Sequence, residues 1–203
     1  CRTFDAELRV YEMDLDHPTA DFTAGPAMSE ADCATAMAYG MTAVEDGIDV
    51  ICLGEMGIAN TTSAAALCHA LFGGDAADWT GPGTGVRGAA LDRKTRVVAE
   101  AVARHADAPD DPLEILRRLG GRELAAIAGA IVAARMGRVP VLLDGYACTA
   151  AASVLHRIDP GILDHCAVAH CSAEPGHARL LRSIGRTPLF DLGMRLGDCL
   201  LYT

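Results

Sequence analysis

Apolar positions along this chain fall into two kinds of segment. Residues 49–53, 139–143 and 167–170 are short, continuous apolar runs, which read as buried strands. Residues 61–72, 89–105, 113–118, 123–136 and 149–155 carry apolar residues at helical spacing. Ser29, with Asp32 three residues on, predicts a capped helix start and a helix to about residue 46. Residues 7–13 alternate crudely and predict an edge strand, and 188–192 a final short strand. Residues 73–88 read as a glycine-rich loop, Pro109 and Pro112 as a break, and Gly120-Gly121 as the split between two helices. A further helix is expected after His177. Short strands alternating with helices predict βαβ units, hence one α/β domain over residues 1–203 with a parallel sheet covered by helices on both faces.

Sheets of this kind bind ligands beyond the carboxyl ends of their strands. Three strand-end segments qualify: 54–60, Asp144-Gly145 and 172–177, all bearing acids, glycines or hydroxyls. The first is the most telling, with an acid, Glu55, inside a glycine turn (Gly54, Met56, Gly57, Ile58, Ala59) and a helix opening on Asn60-Thr61-Thr62. Unpaired N–H groups at such a helix start suit a phosphate. An acid between two strand-end glycines has little structural purpose unless it reaches a ligand.

Gly81-Pro82-Gly83-Thr84-Gly85 is a second glycine-rich loop. The residues before it make a poor strand and no Gly-Lys-Ser/Thr ending follows, so alone it reads as an ordinary turn. Lys94, between Arg93 and Arg96, reads as a solvated charge. Asp144 fits a helix cap as well as a ligand contact, Glu174 a cap for the next helix, and His177 a structural hydrogen bonder; His17 has no evident partner.

Half of the 203 residues are apolar but only 4% are aromatic, a balance that suits closely packed helices on a sheet. A net charge of −10 argues against a nucleic-acid surface, and no apolar stretch has the length of a membrane span. Eight scattered cysteines, several inside apolar runs, point to a reducing, cytoplasmic compartment. The His165–Cys171 segment matches no zinc-ligand spacing, so no metal is expected. The chain begins at Cys1 and stops just after a glycine-acid turn, which reads as a fragment.

Taken together, these segments resemble the nicotinate-nucleotide–dimethylbenzimidazole phosphoribosyltransferase family. The likeness runs in order through Asp16–Thr23, Gly54–Thr62, Gly83-Thr84-Gly85 with Lys94, Gly120-Gly121, Pro140–Gly145, Ser172–His177 and Asp191–Gly197. The resemblance implies a Rossmann-like α/β core and transfer of phosphoribose from nicotinate mononucleotide to 5,6-dimethylbenzimidazole. The products would be nicotinate and α-ribazole phosphate, with no metal or redox cofactor. It implies that Glu55 stabilises an oxocarbenium-like transition state. Residues 57–61, Gly83 to Gly85 and Lys94 would hold the phosphate, and Asp144, Ser172 and Glu174 would position ribose or nicotinate, with Met56 and Leu196 also lining the site.

The proton of the incoming base would go to Asp198, which stands where the family carries a glutamate. One methylene shorter, it falls short by about 1 Å, enough to cost about a hundredfold. Pro82 stands where the family typically has Arg, and Cys199 where it has Gly. The family's additional N- and C-terminal regions, which form a small helical domain and part of the base pocket, have no counterpart here. The resemblance also implies a homodimer. The alternatives are a core that only binds nicotinate mononucleotide or its phosphate, and an incomplete product prone to aggregate.

Overall fold

The computed structural model describes residues 1–107 and 110–194. In chain order the elements are α1 (Glu30–Met41), β1 (Ile51–Leu53), α2 (Asn60–Phe72), α3 (Ala76–Trp79), α4 (Ala89–Arg104), α5 (Pro112–Leu119), α6 (Arg122–Gly137), β2 (Val141–Leu143), α7 (Tyr146–Ile158), β3 (Cys166–His170), α8 (Pro175–Ser183) and β4 (Pro188–Phe190). The strands form one parallel sheet in the order β1-β2-β3-β4. An α/β chain with a parallel sheet is therefore what the apolar pattern encodes.

The register sets Ile51, Val141 and Cys166 in one row, and Leu53, Leu143 and Val168 in another. Both rows face the helices, and all but Ile51 are buried. The row between them, Cys52, Leu142 and Ala167, points the other way and is exposed or half-exposed. Every step runs to the next strand in the same direction, so each crossover carries at least one helix, as in the α/β class expected. Contacts of α2 with α7, and of α7 with α8, follow that order.

α1 lies on α6 with the backbones in contact: a Cβ added at Gly40 would fall 1.9 Å from the Ala126 carbonyl oxygen, and one at Gly129 2.0 Å from that of Met37. The Ser29–Asp32 capping box is present, with Asp32 N–H donating to Ser29 Oγ at 3.0 Å and Ser29 N–H to Asp32 Oδ2 at 3.1 Å. The helix ends at Met41, five residues before the expected 46.

Residues 7–13 form no strand; Arg9 instead bridges Glu7 and Glu45. The expected loop 73–88 contains α3, pinned by the buried Trp79, whose indole N–H donates to the Gly73 carbonyl at 2.8 Å. α7 starts directly after Gly145, three residues before the expected start. No helix among the described residues is long and apolar enough to cross a membrane, and Cys1, Cys33, Cys52, Cys68, Cys166 and Cys171 are free thiols.

Candidate active site

The chain leaves β1 through Gly54, Glu55, Met56, Gly57 and Ile58 and enters α2 at Asn60. The cap position is Ala59, held at φ 66° in the left-handed region. That conformation costs a residue with a Cβ about 1 kcal/mol, and such strain collects at functional sites. No side chain caps the start of α2, so its first N–H groups are open to a ligand.

Glu55 folds back into this turn. Its Oε2 accepts the Gly57 N–H at 2.8 Å and a short hydrogen bond from the Asn60 amide. Burial raises its pKa, opposed by those two donors and reinforced by the negative charge of Glu123 and Asp144.

Beside the start of α2 is a cavity of about 100 Å³, room for about three waters. Gly57, Asn60, Thr61, Pro82, Thr84 and Lys94 are among its lining. Lys94, on α4, is not the solvated charge the sequence suggests. Its ammonium donates to Thr61 Oγ1 and to the Gly81 carbonyl, both at 2.8 Å, and burial lowers its pKa against the opposing charge of Glu174. The loop of residues 81–85 is more than an ordinary turn. Gly83 takes φ 53°, and a Cβ there would sit 2.8 Å from Thr61 Oγ1 and 3.2 Å from Lys94 Nζ. Only glycine lets the loop close on the lysine.

Glu174 does not cap α8 through its side chain, the structural role its position suggests. It is 8% exposed, and its Oε1 accepts the Gly83 N–H at 2.8 Å. The carboxylate therefore shapes the glycine loop across 91 residues of sequence. Its other oxygen has no hydrogen-bond partner among the described residues.

At the next strand end, the Asp144 N–H donates to the Leu53 carbonyl at 3.0 Å, tying the turn after β2 to β1. Asp144 Oδ1 lies 3.7 Å from the buried ring of His170 at the end of β3. His177 is fully buried and its ring is fixed. Nδ1 accepts the Ser172 N–H at 2.9 Å, and Nε2 pairs with Thr149 Oγ1 at 3.0 Å. Thr149 spends its own hydroxyl proton on the Gly145 carbonyl, so Nε2 must be the donor. Burial, and then the nearby His170, hold its pKa down to about 3, so the ring is neutral and structural, as its sequence context suggests. His17, left without a partner by the sequence, bonds Asp14 at 2.8 Å on the surface.

Direct hydrogen bonds thus tie Glu55 to Gly57 and Asn60, Lys94 to Thr61 and Gly81, and Glu174 to Gly83, and chain neighbours bring the three sets together around a cavity that Ile58, Ala59 and Thr84 also line. Met56 is exposed in the same turn. Asp144 and Ser172 belong to the adjoining strand ends. Leu196 and Asp198 lie outside the described residues. Sequence reasoning passed over Glu123, Thr149 and His170. Only His170 carried a signal, as the last residue of an apolar run at a strand's carboxyl end.

The chain matches over residues 1–200 a family model described as "Phosphoribosyltransferase". A nicotinate-nucleotide–dimethylbenzimidazole phosphoribosyltransferase of Rhizobium etli (strain CIAT 652) is 59% identical over 198 residues, covering 98% of this chain and 59% of that protein. The protein of the same name from Cereibacter sphaeroides (strain ATCC 17025 / ATH 2.4.3) is 58% identical over the same coverage. The crystal structure of CobT from Thermus thermophilus superposes with a TM-score of 0.83 at 40% identity, over 89% of this chain and 55% of that one. The chain therefore spans about three-fifths of the length of the curated relatives it matches.

Proposed function

This chain belongs to that phosphoribosyltransferase family, whose curated relatives are named nicotinate-nucleotide–dimethylbenzimidazole phosphoribosyltransferase, and from that premise we propose that it transfers phosphoribose from nicotinate mononucleotide to 5,6-dimethylbenzimidazole. The observation that carries the reading is the pairing of an uncapped helix start and a half-buried lysine with a carboxylate in the same turn. Phosphate sits on the first N–H groups of α2, with the Lys94 ammonium beside it. Glu55 then lies near the sugar that the phosphate anchors.

In this reading the bond between the anomeric carbon and the pyridinium nitrogen breaks, and nicotinate takes the electron pair. Because that nitrogen is already cationic, no acid is needed for departure. Positive charge grows on the sugar, and the ionised Glu55 stabilises it. One benzimidazole nitrogen bonds to the anomeric carbon from the opposite face while the other gives its proton to a carboxylate, the role the resemblance assigns to Asp198. Glu174 holds the loop at Gly83, and Ser172 and Asp144 position ribose or nicotinate. A homodimer, a cytoplasmic location and catalysis without a cofactor belong to the same reading.

A second reading, binding of the mononucleotide without turnover, is favoured by Asp198 in place of the longer glutamate and by Pro82 in place of a cation. One experiment separates the two. The purified chain is incubated with nicotinate mononucleotide and 5,6-dimethylbenzimidazole, and chromatography follows α-ribazole phosphate. Product that Glu55→Gln lowers by about a hundredfold supports the transfer. Calorimetric binding with no product leaves the second reading. A wild-type rate in Glu55→Gln removes the role given to that acid.

A further inference from the structure

His170 is a buried polar side chain beside the site to which the proposed transfer gives no task. It ends β3 and is 5% exposed, and neither ring nitrogen has a hydrogen-bond partner among the described residues. A neutral imidazole carries one N–H and one acceptor, and a buried N–H is expensive to leave unmade. Its near neighbour is Asp144, whose Oδ1 lies 3.7 Å from Nε2, about 0.8 Å beyond a hydrogen bond.

The ring is wedged against the turn that carries this acid. A Cβ added at Gly145 would meet His170 Cε1 at 3.3 Å and Nε2 at 3.6 Å, with Ser172 Cβ at 3.8 Å. Along the sheet, Glu55 follows β1, Asp144 follows β2 and His170 closes β3, so the histidine flanks Asp144 on the side away from Glu55. The two carboxylates repel, and the charge of Asp144 adds to the rise in the Glu55 pKa. Also facing the ring is His177 of α8, which is neutral and held by Ser172 and Thr149.

We propose that His170 is a positioning residue for Asp144: its Nε2–H closes on Oδ1 and fixes the direction in which that carboxylate meets the ribose or nicotinate. Closing the contact gives the buried ring proton a partner and makes a charge-assisted hydrogen bond, whose directionality holds the carboxylate against the push from Glu55. Nε2, on the Asp144 side, then carries the proton and Nδ1 none. The inference rests on the proposed transfer for its purpose, though not for its test.

The test is ¹⁵N NMR of the His170 ring in the unliganded full chain at alkaline pH, its signals assigned with His170→Gln. In wild type the proton is expected on Nε2, and Asp144→Ala, which removes the acceptor, shifts both ring nitrogens. A proton on Nδ1, or ring signals that Asp144→Ala leaves unmoved, overturns the proposal. Calorimetry gives the second readout. His170→Phe fills the space without a donor, so nicotinate mononucleotide binds about tenfold more weakly. His170→Gln, whose amide reaches the place of Nε2, restores most of that affinity, which a merely space-filling role would not require. Adding His170→Phe to Asp144→Ala costs nothing further. Losses that add, or a Gln variant as weak as the Phe one, overturn the proposal. Should His170→Phe not fold, the ring signals decide. Should wild type bind no mononucleotide, the proposed function fails while those signals still decide the role of His170.

Discussion

Replacing Lys94 with Met removes the cation beside the start of α2 and keeps most of the side chain's volume. In the wild type the ammonium is held by Thr61 Oγ1 and the Gly81 carbonyl at 2.8 Å each, so little ordering remains to be done when an anion arrives. Two unit charges about 4 Å apart in a half-buried setting attract by about 4 kcal/mol before desolvation. A hydrogen bond to a charged group nets about 1.5–3 kcal/mol once that cost is met. We therefore expect Lys94→Met to weaken nicotinate mononucleotide by about 2 kcal/mol, a factor of about thirty in Kd. Calorimetry near neutral pH measures it, and a thermal melt checks that the fold survives. Because burial lowers the Lys94 pKa, wild-type affinity should also fade at a lower alkaline pH than for an ordinary lysine. A Kd within twofold of wild type would refute the placement of the phosphate beside Lys94.

Two further outcomes concern the scaffold. Gly40→Ala puts a methyl 1.9 Å from the Ala126 carbonyl oxygen, so α1 and α6 must part, costing about 3 kcal/mol and lowering Tm by about 6–12 °C in calorimetry. His177 is held neutral with a pKa of about 3 against 6.5 when free. Its contribution is therefore complete above pH 6.5 and is lost as pH falls from there toward 3. By pH 5 the loss is about 2 kcal/mol, and denaturant melts of wild type against His177→Gln should show the acid-side slope shrinking in the variant.

Strands and helices were legible wherever a local pattern has one physical meaning. The runs that became β1, β2 and β3 are too short for helices and are bounded by turn residues, and Ser29 with Asp32 closes the same capping box it spells. Residues 7–13 misled because alternation describes a strand's faces and says nothing of whether a neighbour exists to bond its edge. The start of α7 was missed because Tyr146 and the residues after it are buried all round, leaving no polar face to mark the helix.

At the site the sequence by itself determined which residue types gather at the strand ends: an acid in a glycine turn, an uncapped helix start and a second glycine loop are local features, and their order along the chain carries the family likeness. Only the tertiary structure decided what those groups do to one another. Lys94 changes from a surface charge to a held donor because α4 lays it against Thr61, 33 residues away. Glu174 leaves a cap to shape the loop at Gly83, 91 residues away. Hydrogen bonds and buried charge act over a few ångströms of space regardless of chain separation, so the shifts and orientations they impose appear only once the fold has set those distances.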